Sequence, residues 1–187
     1  MRPSIEHQLW GGRQHLASRE VQRLVQAQYY SPEMSVYSAA SLSDDQASLS
    51  VGACLICRSR ILLRQQTIQL PDQHLHPLYP ETAAVLFGLR QTAVHPSRPA
   101  GITLLSTHRD MKRMLEGRVT FPDAAAMADL QHLLQQEQLE SRPPVFVDYL
   151  PRQWRKMNPF YRRAVEAAAS AWKQDTGGGW KEERLFG

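Results

Sequence analysis

Cysteine is scarce in this chain of 187 residues, which contains only Cys54 and Cys57. Their C-x-x-C spacing is typical of zinc and redox sites, but a structural zinc site of this type needs further ligands, and there is no second Cys pair. Residues 48–58 are rich in Val, Leu, Ile and Cys, which predicts a β-strand, and residues three apart on a strand face opposite sides. We therefore expect two buried cysteines and no zinc or redox site.

Long hydrophobic runs are also missing. No run approaches the roughly 20 residues that a membrane helix needs, and residues 1–6 lack the apolar core of a signal peptide. These absences predict a cytoplasmic protein without a membrane contact. The sequence has no glycine-rich phosphate loop, serine-nucleophile elbow or internal repeat. Its formal net charge of +4 permits nucleic acid as a partner without requiring it.

The pattern of apolar and breaking residues divides the chain into three parts. An N-terminal helical extension covers residues 1–33, and its main helix, at about 16–28, carries an apolar stripe that consists of Val21, Leu24 and Val25. The main domain covers residues 34–174. Residues 175–187 form a glycine-containing tail that we expect to be flexible.

The main domain is predicted to be an α/β fold. Three short strands joined by turns, at 35–40, 47–57 and 61–70, indicate an antiparallel meander. Helices and strands then alternate, with helices at 81–93, 109–115, from 122, and 159–172, and strands at 101–106 and 145–149. The resulting order, β-β-β-α-β-α-α-β-α after one N-terminal helix, favours a five-stranded mixed sheet with helices on its faces.

Five segments of the main domain resemble ribonuclease HI, in the same order and with similar spacing. Residues 36–41 are similar to its first strand, which usually reads aromatic-Thr-Asp-Gly-Ser, and Pro80-Glu81 with Gly88 is similar to its Glu-led helix. The remaining segments resemble the Gly-Ala core of the second strand, the Ser/Thr-Asp end of the fourth strand and the Asn-led closing helix, and they are 52–55, 104–108 and 158–169. The resemblance covers about residues 34–172 and implies a ribonuclease H-like fold.

The resemblance also implies a site, and here the sequence departs from the family. Four family carboxylates, Asp-Glu-Asp-Asp, hold two magnesium ions that activate water. Their positions correspond to Ala39, Glu81, His108 and Arg162, so only Glu81 is retained. Two close divalent cations need several negative charges around them. We therefore expect an inactive or strongly impaired domain without a metal or other cofactor.

Two sets of residues leave catalysis open. Asp148, on the predicted fifth strand, could help to rebuild a magnesium site and restore a ribonuclease H-type endonuclease. His74, His76, His95 and His108 could instead serve as metal ligands or general bases. Both readings compete with the expectation of an inactive domain.

A segment before the last helix favours nucleic acid as the partner. Residues 152–163 contain five basic and three aromatic side chains, and such mixtures bind phosphates and stack on bases. The predicted contacts are Arg152, Trp154, Arg155, Lys156, Asn158, Arg162 and Arg163. One alternative is a solvated basic loop in which Trp154 and Tyr161 pack in the core and Asn158 only caps the helix. Another is a protein-interaction scaffold that uses the N-terminal helix or the C-terminal tail.

Overall fold

The computed structural model of the protein describes residues 5–44, 47–70 and 76–172, and the side chains from residue 8 onward. Its centre is a five-stranded sheet in the order β3-β2-β1-β4-β5. The β1–β2 and β2–β3 pairs are antiparallel, whereas the β1–β4 and β4–β5 pairs are parallel. The strands are β1 (Met34–Leu42), β2 (Ser48–Cys57), β3 (Arg60–Gln69), β4 (Ile102–Ser106) and β5 (Val145–Tyr149). The predicted mixed sheet is confirmed.

Helices precede and separate these strands. They are α1 (Ile5–Trp10), α2 (Arg19–Tyr30), α3 (Tyr79–Gln91), α4 (Met111–Leu115), α5 (Ala125–Glu140), α6 (Arg152–Arg155) and α7 (Pro159–Ala171). The predicted order is confirmed, with two additions. The prediction of one N-terminal helix was wrong because α1 and α2 both precede the sheet. The single turn of α6 was not predicted because four residues are too few to show a helical period.

The sheet separates two hydrophobic clusters. Helices α3, α4 and α5 cover one face, where Val36, Leu104 and Leu134 are buried. Helices α1, α2 and α7 cover the other, where Tyr37 and Phe160 are buried. We call the cluster under α3, α4 and α5 the α3 cluster and the one under α1, α2 and α7 the α7 cluster. Alternation along β2 places Cys54 in the α7 cluster and Cys57 in the α3 cluster, on opposite faces of the sheet as predicted. Burial raises the pKa of the Cys54 thiol to about 12.

The N-terminal extension packs into the same core as the main domain. Within α2, Val21 and Val25 are buried while Leu24 is half-buried, which largely confirms the predicted stripe. Tyr37 of β1 donates a hydrogen bond to Gln28 Oε1 at 2.5 Å, which joins α2 to the sheet. Among the described residues, no helix is both long and apolar enough to cross a membrane. The tail predicted at 175–187 lies outside the described residues.

Candidate functional site

Glu81 lies in the first turn of α3 and reaches the carboxyl end of β4. Its Oε1 accepts hydrogen bonds from Ser106 Oγ at 3.0 Å and from the backbone N–H of Thr107 at 2.8 Å. Pro80 precedes it near the helix start, a position where proline is tolerated. A carboxylate there is also favoured by the helix dipole. Glu81 therefore connects the start of α3 to the end of β4.

His108 belongs to the loop that follows β4. Its backbone N–H donates to Ser106 Oγ at 3.0 Å, and its Nδ1 accepts from the backbone N–H of Asp110 at 3.2 Å. The imidazole thus stabilises the entry into α4 and has only Nε2 left for another partner. Because Glu81 also contacts Ser106, the structure brings the Glu81 and His108 positions together.

The other two positions of the implied site, Ala39 and Arg162, lie on β1 and α7. Ala39 is buried, 5% exposed, and pairs with Gly52. Since Tyr37 pairs with Leu105 in the parallel register, Ala39 lies near the end of β4. Arg162, in contrast, runs along α7, where its Nη2 is 3.7 Å from Glu166 Oε1. The neighbouring residue, Tyr161, responds to the charge of Glu81. Burial is the first factor and this charge the second that raise the pKa of its phenol.

The residues around Glu81 do not fit a pair of magnesium ions. In the described part of the chain, no group of three or more His, Cys, Asp or Glu side chains could hold a metal. Asp148 is exposed, and its Oδ1 accepts from the N–H of Tyr149 at 2.8 Å. Asp110 forms an ion pair with Arg113 at 3.0 Å. A single carboxylate cannot offset the repulsion between two divalent cations.

The histidines singled out by the sequence are dispersed. His76 and His95 each accept, through Nδ1, the backbone N–H of the residue two positions later, at 3.2 and 3.1 Å, as His108 does. His95 is buried, and this burial lowers its pKa. His74 lies outside the described residues. His76, His95 and His108 therefore each accept a local backbone hydrogen bond.

The basic segment divides into surface and structural residues. Arg152 and Lys156 are exposed, and Arg155 is half-buried at the end of β4. Trp154 packs against the α7 cluster, as the structural alternative predicts. Arg163 Nη2 donates to the Gln8 carbonyl at 2.9 Å, which places this side chain under α1.

Asn158 holds the start of α7. It is fully buried, and its Oδ1 accepts the N–H groups of Phe160 and Tyr161 at 2.9 and 3.0 Å. Its Nδ2 donates to the Tyr37 hydroxyl at 3.0 Å. These three bonds account for Asn158 as a cap and a core residue, so its amide is engaged within the fold.

Sequence reasoning missed Arg109 and Tyr149. Together with Arg155 they form what we call the Tyr149 cluster, in which the Cζ atoms of Arg109 and Arg155 lie 5.3 and 5.8 Å from the tyrosine ring centroid. A hydrogen bond from Arg109 is the largest factor that lowers the pKa of Tyr149. The available signal was position, because Arg109 closely follows β4 and Tyr149 ends β5, and parallel strands carry functional residues at their carboxyl ends.

Comparison with known proteins identifies the fold. No protein-family model and no curated protein matches the chain. Among solved structures, ribonuclease H1 of the halophilic archaeon Halobacterium salinarum aligns with a TM-score of 0.59 and 15% identity, over 75% of this chain and 98% of that one. The N-terminal ribonuclease H domain of a Mycobacterium tuberculosis protein gives 0.54 and 15%, over 76% and 98%. A compost-derived ribonuclease H1, in complex with an RNA/DNA hybrid, gives 0.55 and 12%, over 75% and 99%. The chain therefore has a ribonuclease H-like fold.

Proposed function

We propose that this protein is a ribonuclease H-like domain that binds nucleic acid and does not cleave it by a two-metal mechanism. The observation that carries the proposal is a pair of hydrogen bonds made by the backbone of Thr107. Its N–H binds the Glu81 carboxylate, and its carbonyl accepts from Arg155 Nη2 at 2.6 Å. The one retained carboxylate is thus bonded through Oε1 to the end of β4, and Arg155 is bonded to the same residue, Thr107, through its carbonyl.

Charge supports the loss of metal-dependent cleavage. The two-metal reaction needs carboxylate oxygens that bind both ions and leave open positions for water and phosphate. At the corresponding positions this chain has a methyl group at Ala39, an imidazole at His108 and a guanidinium at Arg162. These groups supply no anionic oxygen, so we expect no divalent cation to bind there tightly.

The same substitutions support binding. Arg152, Lys156 and Arg109 are exposed around the carboxyl ends of β4 and β5, and Arg155 is half-buried and bonded to the Thr107 carbonyl. Cationic side chains bind nucleic acid because they release counterions from the phosphates. The compost ribonuclease H1 with a similar fold was solved with an RNA/DNA hybrid, which supports nucleic acid as the partner class for this fold.

A protein partner is the second candidate. Leu139 at the end of α5 is 84% exposed, and Phe146 on the edge strand β5 is 58% exposed. Contiguous exposed apolar patches are typical of interaction surfaces. Both residues lie outside the basic segment 152–163, so a scaffold role and nucleic-acid binding make different predictions for the same variants.

The test is a binding titration by fluorescence anisotropy with single-stranded DNA, duplex DNA and an RNA–DNA hybrid, at several salt concentrations. We expect salt-dependent binding to at least one of them, which the double variant R152Q/K156Q weakens. Arg90→Gln is the control, because it also removes an arginine charge but outside the basic segment. Arg90 lies on α3, and its Nε is 2.6 Å from Glu137 Oε1 on α5. No binding at low salt by the folded wild type would overturn the proposal.

A further inference from the structure

In the Tyr149 cluster, the guanidinium groups of two arginines contact the side chain of one tyrosine, at the carboxyl end of the parallel strands. Arg155 Nη2 lies 3.4 Å from the Tyr149 hydroxyl, and Arg109 extends from the loop after β4 to the same ring. Both guanidinium groups therefore lie within about 6 Å of one ring centroid, where a cation is attracted by the π-system. Two positive charges at one side chain also favour an anion as a third partner.

Arg155 is held rigidly within this cluster. Its Nε donates to the Leu150 carbonyl at 3.0 Å and its Nη2 to the Thr107 carbonyl at 2.6 Å. Both acceptors are neutral carbonyls. A guanidinium has five N–H donors, and among the described residues the hydrogen bonds of Arg155 use its Nε and Nη2 but not its Nη1. Because the side chain is already ordered, a ligand would lose little affinity to side-chain entropy.

Carboxylates do not neutralise the cluster in the described part of the chain. Within those residues, the ion pairs join other groups: Asp110 pairs with Arg113, and Glu116 with Arg118. Glu81 faces Ser106 and Thr107 instead of the cluster. Two guanidinium groups and a hydroxyl without a carboxylate partner match the several oxygens of a phosphate group.

We propose that Arg109, Arg155 and the Tyr149 hydroxyl together bind one phosphate group of the nucleic acid. This inference rests on the proposed function and adds two residues, Arg109 and Tyr149, that lie outside the segment 152–163 that the sequence indicates. The phosphate comes either from an internal diester or from a chain end. A terminal phosphate carries a second negative charge and three free oxygens, and it therefore suits two guanidinium groups particularly well.

The experiment compares a 3′-labelled single-stranded oligonucleotide that has a 5′-hydroxyl with the same oligonucleotide that has a 5′-phosphate, at 50 to 200 mM salt. The variants are Arg109→Gln, which changes an exposed side chain, and Tyr149→Phe, which removes one hydroxyl. Arg90→Gln is the control. We expect Arg109→Gln to weaken binding roughly tenfold and to reduce the slope of log affinity against log salt by about 0.7. Tyr149→Phe is expected to have a smaller effect in the same direction.

The pattern of losses identifies the source of the phosphate. Equal weakening of both oligonucleotides by Arg109→Gln indicates an internal diester, whereas loss of a preference for the 5′-phosphate indicates a chain end. Either pattern supports the proposal. If Arg109→Gln leaves both the affinity and the salt slope of the wild type unchanged, the proposal is overturned, although the binding itself would still support the proposed function. Absence of binding by the wild type to this oligonucleotide would overturn the phosphate proposal, and absence of binding to duplex DNA and the RNA–DNA hybrid as well would overturn the proposed function.

Discussion

The backbone N–H of Thr107 donates a hydrogen bond to Glu81 Oε1 at 2.8 Å. This bond connects the first turn of α3 to the end of β4, and Ser106 Oγ reinforces it at 3.0 Å. In this chain Glu81 is therefore a structural acceptor, whatever its role in other proteins of this fold. Its contribution can be measured as stability.

Removal of the Glu81 carboxylate should destabilise the fold. Glu81→Ala leaves the Thr107 N–H and the Ser106 hydroxyl without their acceptor, and we expect a loss of about 1–3 kcal/mol in the free energy of unfolding. Glu81→Gln keeps one carbonyl oxygen in the same place and should lose less than half of that. Urea denaturation of the three proteins gives the comparison. Equal stability of wild type and Glu81→Ala would show that these bonds are not maintained in solution.

Asn158 should be among the most sensitive polar residues. Asn158→Ala removes two capping bonds to α7, one buried and one partly buried, and the buried bond to Tyr37. We expect a loss of about 2–4 kcal/mol in the free energy of unfolding. Tyr37→Phe removes the hydroxyl but keeps the cap, so it should cost less. If the two variants unfold at the same urea concentration, the cap contributes nothing measurable.

Gly52 and Gly101 form a matched pair for a test of packing. Because Gly52 has no side chain, α7 can approach the sheet closely there. A Cβ at this position would overlap the backbone of Ala164 and Ala168. Gly52→Ala should therefore destabilise the protein by several kcal/mol, about 3 or more, through overpacking. A Cβ at Gly101 meets its nearest atoms at 3.9 Å, in Glu33 and Phe146. Gly101→Ala should change the thermal midpoint little, and a similar drop for both variants would contradict this packing.

Stability should fall at alkaline pH in part because of Cys54. Burial raises the pKa of its thiol from an ordinary value of 9.0 to about 12. Above pH 9 the unfolded chain releases this proton while the folded chain keeps it, so unfolding becomes more favourable as the pH rises. At pH 10 the loss from this group is about 1.4 kcal/mol relative to pH 8.

The control for this pH dependence is Cys54→Ala, which lacks the thiol. Buried tyrosines such as Tyr37, whose pKa is also raised by burial, add to the alkaline loss in both proteins. The difference in slope between wild type and Cys54→Ala therefore isolates the thiol. Parallel curves from pH 8 to 10.5 would mean that Cys54 is not buried in solution.

The sequence predicts the sheet well because its signals are local. Apolar alternation locates β2, and Pro80 with Glu81 locates the start of α3. The strand assignment also separates Cys54 from Cys57, since it depends only on the two-residue period. The resemblance to ribonuclease HI adds the ribonuclease H-like fold, which the mixed five-stranded sheet and the solved neighbours confirm.

The partners of side chains could not be predicted in this way. Arg163 and Arg155 stand in the same basic run, yet Arg163 bonds to α1 and Arg155 to the end of β4. The difference arises because α7 and α6 present their residues to different neighbours, and this depends on tertiary packing. Arg109 and Tyr149 are 40 residues apart in sequence, and only the adjacent ends of β4 and β5 bring them together.

The most direct test of the account is a cleavage assay on an RNA–DNA hybrid with magnesium or manganese, run beside a binding titration with the same hybrid. Wild type and Glu81→Gln should give the same result, which is no cleavage above background, while binding to nucleic acid is retained. Hydrolysis by the wild type that is lost in Glu81→Gln would contradict the account, because it would show that Glu81 still supports a working metal site.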